Sequence, residues 1–169
     1  MSDIKEARAI RYLLDAVNDA SIIEPALEEG LYSMAIFHSQ QASEKSAKAC
    51  LSLLDILITD EHIYTDYLVK FVIPESKDLN KDFMKLLPDV NKLESYYIPS
   101  RYGVDRFGKI HYRKYDEKEV RDLCRSSMDF LELCFKFVED KSGRMIPRQR
   151  EELEQFFVYN YHKFIRELR

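Results

Sequence analysis

Helix breakers are scarce in this chain. It has 4 glycines and 5 prolines in 169 residues, about a twentieth of the sequence, where an average protein spends roughly 12%. A sandwich or barrel needs frequent Gly- and Pro-bearing turns, and a disordered chain is enriched in the same residues. Both are therefore excluded, and long helices remain. The apolar spacing agrees. Residues 4–24 place Ala7, Ile10, Leu14, Val17 and Ser21 three or four apart, one face of a helix. A proline inside a helix costs about 3 kcal/mol, so a kink or break is expected near Ile22–Pro25, with Gly30 as the stop. A second helix is predicted from Leu31 to Leu57, with Met34, Ala35, His38, Ala42, Ala49, Cys50 and Leu53 as its stripe. These are largely small residues, which let a neighbouring helix come close.

Four further helices follow. Thr59 or Asp60 is the expected cap of a short helix from Glu61 to Val72. After a turn at Pro74–Lys77, another runs from Leu79 to Tyr97, kinked or restarted at Pro88. Pro99, Gly103 and Gly108 then punctuate a loop from Ser100 to Tyr115. Asp116 caps a long helix from Glu117 to Asp140, which Ser142-Gly143 ends. Pro147 opens a last helix to Leu168. No segment alternates with period two and no repeat is visible. The expected fold is an all-α bundle of five to six helices, with residues 1–141 as the bundle and 142–169 as a C-terminal extension. The extension's stripe of Leu153, Phe156, Phe157, Tyr161, Phe164 and Leu168 is too apolar to stay in water, so it is expected to pack on the bundle or on a second subunit.

With hydrophobic residues at 46% and charged residues at 33%, the chain can bury one core without staples. Cys50, Cys124 and Cys134 are odd in number and sit in apolar helical stretches, so they read as reduced core residues. The start, MSDIKEAR, lacks an apolar signal core, and no uncharged run is long enough to span a membrane. A soluble, cytoplasmic protein is the expectation.

A net charge of −4 argues at first against an anionic partner, but the charge is segregated. Between residues 101 and 114, Arg101, Arg106, Lys109, Arg113 and Lys114, with His111 when protonated, face one acid, Asp105. Lys141, Arg144, Arg148 and Arg150 form a second basic run without an acid. Local charge of this kind can hold an anion that the average would repel.

The histidines and cysteines are too dispersed for a zinc pattern, and no Gly-rich phosphate loop or nucleophile elbow is present. No metal and no cofactor are called for. Two segments carry chemistry. In the second helix, Gln41, Lys45 and Lys48 stand three or four apart, one side bearing an amide and two ammonium groups. The bland alternative is a Glu44–Lys48 pair on a solvated face. In the second segment, Tyr96-Tyr97-Ile98-Pro99-Ser100-Arg101-Tyr102, the Arg101 guanidinium can clamp a phosphate while Tyr97 and Tyr102 stack on a base. The alternative has those tyrosines packed under the loop and Arg101 on helix-end carbonyls.

Together these segments resemble the HEPN family, the higher-eukaryote and prokaryote nucleotide-binding domain. Ala35, Phe37, Gln40-Gln41-Ala42, Glu44-Lys45 and Lys48-Ala49 match its A-x-F-x-x-Q-Q-A-x-E-K-x-x-K-A run, and His62 its following histidine. Tyr97 to Tyr102 resembles its Y-x-x-x-R-Y signature. The resemblance covers about residues 5–141. It implies an up-and-down bundle, commonly a homodimer. It also implies one of two roles. The leading one is a nucleotide-binding partner subunit of a minimal nucleotidyltransferase in a toxin–antitoxin-like pair, with Gln41, Lys45, Lys48, Tyr97, Arg101 and Tyr102 at the ligand. The other is a metal-independent ribonuclease acting on RNA through an Arg-x(4–6)-His motif. Arg106-Phe-Gly-Lys-Ile-His111 satisfies that spacing, with Arg106 binding phosphate and His111 as general acid or base. Phe107 stands where that branch usually carries a polar residue. A third reading is a non-catalytic interaction module with a solvated basic loop.

Overall fold

A computed structural model describes residues 3–58, 62–96, 104, 107–110 and 115–167. Six α-helices form among them: α1 Asp3–Glu28, α2 Tyr32–Leu53, α3 Thr65–Tyr67, α4 Asn80–Ser95, α5 Glu117–Ser142 and α6 Arg150–Glu167. The protein is all-α. The β-pairing among the described residues is a single antiparallel bridge between Val104 and Ile110.

Both interior prolines are tolerated: of the kink or break expected near Ile22–Pro25 and the kink or restart expected at Pro88, neither the break nor the restart occurs. Each helix runs on through its proline. The missing N–H leaves one carbonyl four residues earlier without a donor, at Ser21 or Met84. Both of these residues are exposed, so water can take the place of the lost bond. α1 then stops where Gly30 adopts φ 68. Leu31 N–H donates to the Ala26 carbonyl at 2.8 Å and Gly30 N–H to Leu27 at 3.1 Å, the paired bonds of a Schellman ending.

α2 ends four residues before the predicted Leu57. Here a non-glycine residue, Asp55, takes the left-handed conformation at φ 62. Ile56 N–H reaches back to the Leu51 carbonyl at 3.0 Å. No glycine marks this stop, so the sequence pattern runs past it. α3 begins later than expected. Its predicted cap at Thr59 or Asp60 lies outside the described residues. The observed cap is a remote carboxylate: Glu94 of α4 accepts from Tyr64 N–H at 2.7 Å and Thr65 N–H at 2.8 Å. A π turn, Leu68–Val72, and two 3₁₀ turns then lead into α4. At α5 the expected cap forms, with Asp116 Oδ1 accepting from Glu119 N–H at 2.8 Å.

The helices alternate in direction. α1 and α2 run antiparallel, so that Lys5 meets Asp55 at 3.1 Å while Asp19 meets His38 at 2.9 Å. α2 and α5 run parallel, matching Ser43 to Ser127 and Cys50 to Cys134. α4 opposes α5, with Asp89 accepting from Ser126 at 2.6 Å. α2 lies at the centre and is buried nearly all round. Its Ala and Ser content therefore serves several contacts rather than one stripe. Met34, predicted on the core face, is 46% exposed. No described helix is long and apolar enough to cross a membrane.

α6 begins at Arg150, three residues after Pro147. It packs on α1: Leu153 and Tyr161 are buried, and Tyr161 donates its hydroxyl hydrogen to Glu6. Tyr161 itself leaves helical geometry, at φ −125 and ψ 19. Its ring lies 5.6 Å from Phe157 and 6.4 Å from Phe156.

Candidate functional site

The three ligand-binding candidates on α2 are all described, and each has an internal partner. Lys45 is paired with Asp19 of α1, whose other oxygen lies 2.9 Å from His38 Nδ1. Gln41 donates its amide to Gln40 Oε1 at 2.7 Å. Gln40 in turn donates to Glu44 Oε2 at 3.0 Å, and Lys48 Nζ donates to Glu44 Oε1 at 2.8 Å. His62, arriving from the segment before α3, sets its Nδ1 at 3.1 and 3.3 Å from the same two oxygens.

Helical spacing builds this ladder. Gln40, Glu44 and Lys48 are four apart and therefore stacked on one face. The Glu44–Lys48 pair forms as the residue spacing suggests, but on a buried face rather than a solvated one. The Glu44 side chain is 7% exposed and that of Lys48 10%. Burial alone would raise the Glu44 pKa. Hydrogen bonds from Lys48, Gln40 and His62 and the Lys48 charge outweigh it and hold the carboxyl below its usual range. His62, with 45% of its side chain exposed, is the solvent-facing end of the ladder. An ionised carboxylate can only accept, so the Nδ1 turned towards it carries the proton.

Next to the ladder Tyr64 is fully buried, and its hydroxyl makes no well-formed hydrogen bond among the described residues. Burial, then the Glu94 and Glu44 charges, push its pKa well above the ordinary phenol value. The α2–α5 seam is polar at its centre as well. Ser43 donates to Ser127 Oγ at 3.0 Å, Ser127 to the Ser39 carbonyl at 2.8 Å, and Ser39 to Cys124 Sγ at 3.2 Å. All three cysteines are free and buried, and burial raises the Cys124 and Cys134 pKa values.

Tyr97, Arg101, Tyr102, Arg106 and His111 lie outside the described residues. Around them, Val104 pairs with Ile110 and Gly108 takes φ 76, so the chain reverses there. Phe107 and Ile110 are 80% and 77% exposed. Sequence reasoning left Asp19, Glu44 and His62 out of the site. Glu44 carried a signal, its i,i+4 relation to both Gln40 and Lys48. His62 stands 18 residues from Glu44 and Asp19 stands 26 from Lys45, so only the packed bundle brings either into contact.

The HEPN domain family model matches residues 9–140, most of the chain. The chain belongs to the HEPN domain family. Its signature run in α2 is thereby given a physical content. Ala35, Ala42 and Ala49 are fully buried where α2 meets its neighbours, and Gln40, Glu44 and Lys48 form the buried ladder. The chain is also 25% identical over 137 residues to the protein named "Putative toxin MJ1304" of Methanocaldococcus jannaschii, across 78% of this chain and 89% of that relative. No solved structure matches it. The HEPN match ends at residue 140, so α6 follows it.

Proposed function

We propose that this HEPN protein is the toxin-like member of a toxin–antitoxin-like pair, a nucleotide- or RNA-binding subunit of a minimal nucleotidyltransferase. The observation that carries the reading is the relative named as a toxin, aligned along 89% of its length, together with the HEPN match. Residues 101–114 add the local positive charge that a phosphate requires. Arg101 clamps the phosphate, Tyr97 and Tyr102 stack on the base, and Gln41, Lys45 and Lys48 border the ligand. Because Lys45 and Lys48 are already paired, Arg101 supplies most of the affinity and the two lysines tune it. The protein works as a cytoplasmic homodimer.

The test is co-purification with a small nucleotidyltransferase encoded beside this gene, and titration with nucleoside monophosphates and short RNA. Arg101→Ala is expected to weaken ligand binding at least tenfold. Unchanged binding to both partner and nucleotide would remove the role given to that loop.

A second reading, the metal-independent ribonuclease, is supported by the spacing of Arg106-Phe-Gly-Lys-Ile-His111, a motif that overlaps the segment in which Val104 bridges Ile110. Incubation with total RNA in chelator separates the two readings. Cleavage that disappears in both Arg106→Ala and His111→Ala favours the nuclease. Absence of cleavage, of nucleotide binding and of a nucleotidyltransferase partner leaves the plain interaction module.

A further inference from the structure

α1 and α6, with Leu57 from the segment after α2, line a cleft of about 840 Å³. That volume is in the range of small-molecule pockets, ~300–1,000 Å³. Its wall is mostly apolar: Leu14 from α1, Phe157 and Phe164 from α6, and two residues that the fold leaves half in water, Leu57 at 51% and Val158 at 50% exposed. Large apolar side chains half-exposed within one recess mark a surface that gains by being covered.

The charges in the cleft are arranged with a sign. Arg8, Arg11 and Arg150 reach it, against Asp15 and Glu154. Arg11 is already paired with Asp15 one turn on, and Arg8 makes no ion pair among the described residues. One carboxylate, Glu154, is thus left against two guanidinium groups, Arg8 and Arg150. Five of the fourteen lining residues come from α6, beyond the end of the HEPN match at residue 140, so the cleft is built jointly by α1 and by the helix that follows the family match.

We propose that this cleft binds a free single-chain amphiphile with an anionic head group, a medium- to long-chain carboxylate. Its hydrocarbon chain lies along Leu14, Phe157 and Val158, and its head group meets the Arg8 and Arg150 guanidinium forks, which suit a carboxylate. A nucleobase is the poorer fit, because most of the exposed lining surface is apolar and suits a hydrocarbon chain. A partner helix needs an interface of roughly 1,000 Å² or more, beyond what one recess of this size offers.

The experiment is calorimetric titration of the full chain with octanoate, decanoate and dodecanoate below their micelle concentrations, with dodecanol and adenosine monophosphate alongside. Saturable one-to-one binding is expected, tightening about fourfold per added methylene. Arg8→Gln should weaken it at least fivefold. Val158→Glu, at a half-exposed position, should weaken it at least tenfold while circular dichroism and melting temperature stay unchanged. The proposal is overturned by any of three results: no saturable carboxylate binding, carboxylate binding indifferent to Val158→Glu, or dodecanol bound as tightly as dodecanoate. Adenosine monophosphate bound in the cleft in preference to the carboxylates would assign it to a nucleotide instead. None of these outcomes bears on the α2 and loop residues of the proposed function, which Arg101→Ala tests separately.

Discussion

Two charge clusters hold this molecule together, and they do so under opposite conditions. One is the Gln40–Glu44–Lys48 ladder with His62, inside the bundle, where Glu44 and Lys48 are nearly dry. The other is Arg148, in the connection between α5 and α6. Arg148 reaches both oxygens of Glu132 at 3.0 Å, donates to Glu139 Oε2 at 2.9 Å, and lies 4.6 Å over the Phe135 ring. Its side chain is 31% exposed and that of Glu132 46%, while that of Glu139 is 12% exposed, so Arg148 and one of its two partners stay in contact with water. The first cluster lies within the HEPN match and the second straddles its end. In a dry cluster each charge has been stripped of water, so losing one partner strands the other at high cost. In a half-wet cluster the solvent repairs most of the damage. The same residue types therefore act as a folding requirement in one place and as a fastener for an appendage in the other.

This contrast can be broken most decisively at Glu44. Glu44→Ala strands the buried Lys48 ammonium and should cost about 3–5 kcal/mol in urea unfolding. A loss below about 1 kcal/mol would mean that water reaches the ladder. Replacing both charges with apolar groups, Glu44→Leu with Lys48→Met, should recover about half the loss or more, since no charge is left unpaired. Arg148→Ala should cost about 1–2 kcal/mol. Its effect should shrink in 1 M salt while that of Glu44→Ala persists, because screening acts on the exposed cluster. Equal salt sensitivity in the two variants would erase the distinction.

A pH titration sharpens the same comparison with a smaller effect. The folded-state pKa of Glu44 lies below the ordinary value of 4.5, and Glu139 is likewise lowered where burial is outweighed by Arg148 and the Ile146 N–H. A carboxyl lowered on folding binds fewer protons folded than unfolded. Its contribution is therefore complete above about pH 4.5 and is lost as pH falls through the folded value. Stability measured from pH 6 downwards should decline below that point, and Glu44→Gln should flatten part of the slope. An unchanged slope in that variant would detach the acid transition from the ladder. The smallest effect is expected at Asp116→Ala, about 1 kcal/mol from a lost helix cap, read as a modest drop in melting temperature.

How much of this was legible before folding differs from element to element. α5 was readable at both ends, because Asp116 and Gly143 are local signals that act on their own backbone. α2 was readable at its start and overrun at its end, because Asp55 does the work of a glycine without announcing it. The start of α3 was not readable. Its cap is Glu94, 29 residues on from Thr65. The site divides in the same way. Gln41, Lys45 and Lys48 were visible as one side of a helix, but their partners Asp19, Glu44 and His62 decide how much charge they have left to offer. The core stripe assigned to α2 was too narrow, since periodicity describes a helix with one dry face and α2 is nearly dry all round.

By itself the sequence determined the helical class, most helix ends and the HEPN signature, because scarcity of breakers, three-four spacing and local caps act over a single turn or two. Only the tertiary structure decided that the signature's charges are internal, that Pro25 and Pro88 leave their helices whole on the solvent side, and that α6 folds back on α1 with a cleft between them. Those outcomes depend on which groups lose water when the helices meet, and desolvation is a property of the packed assembly rather than of any stretch of chain.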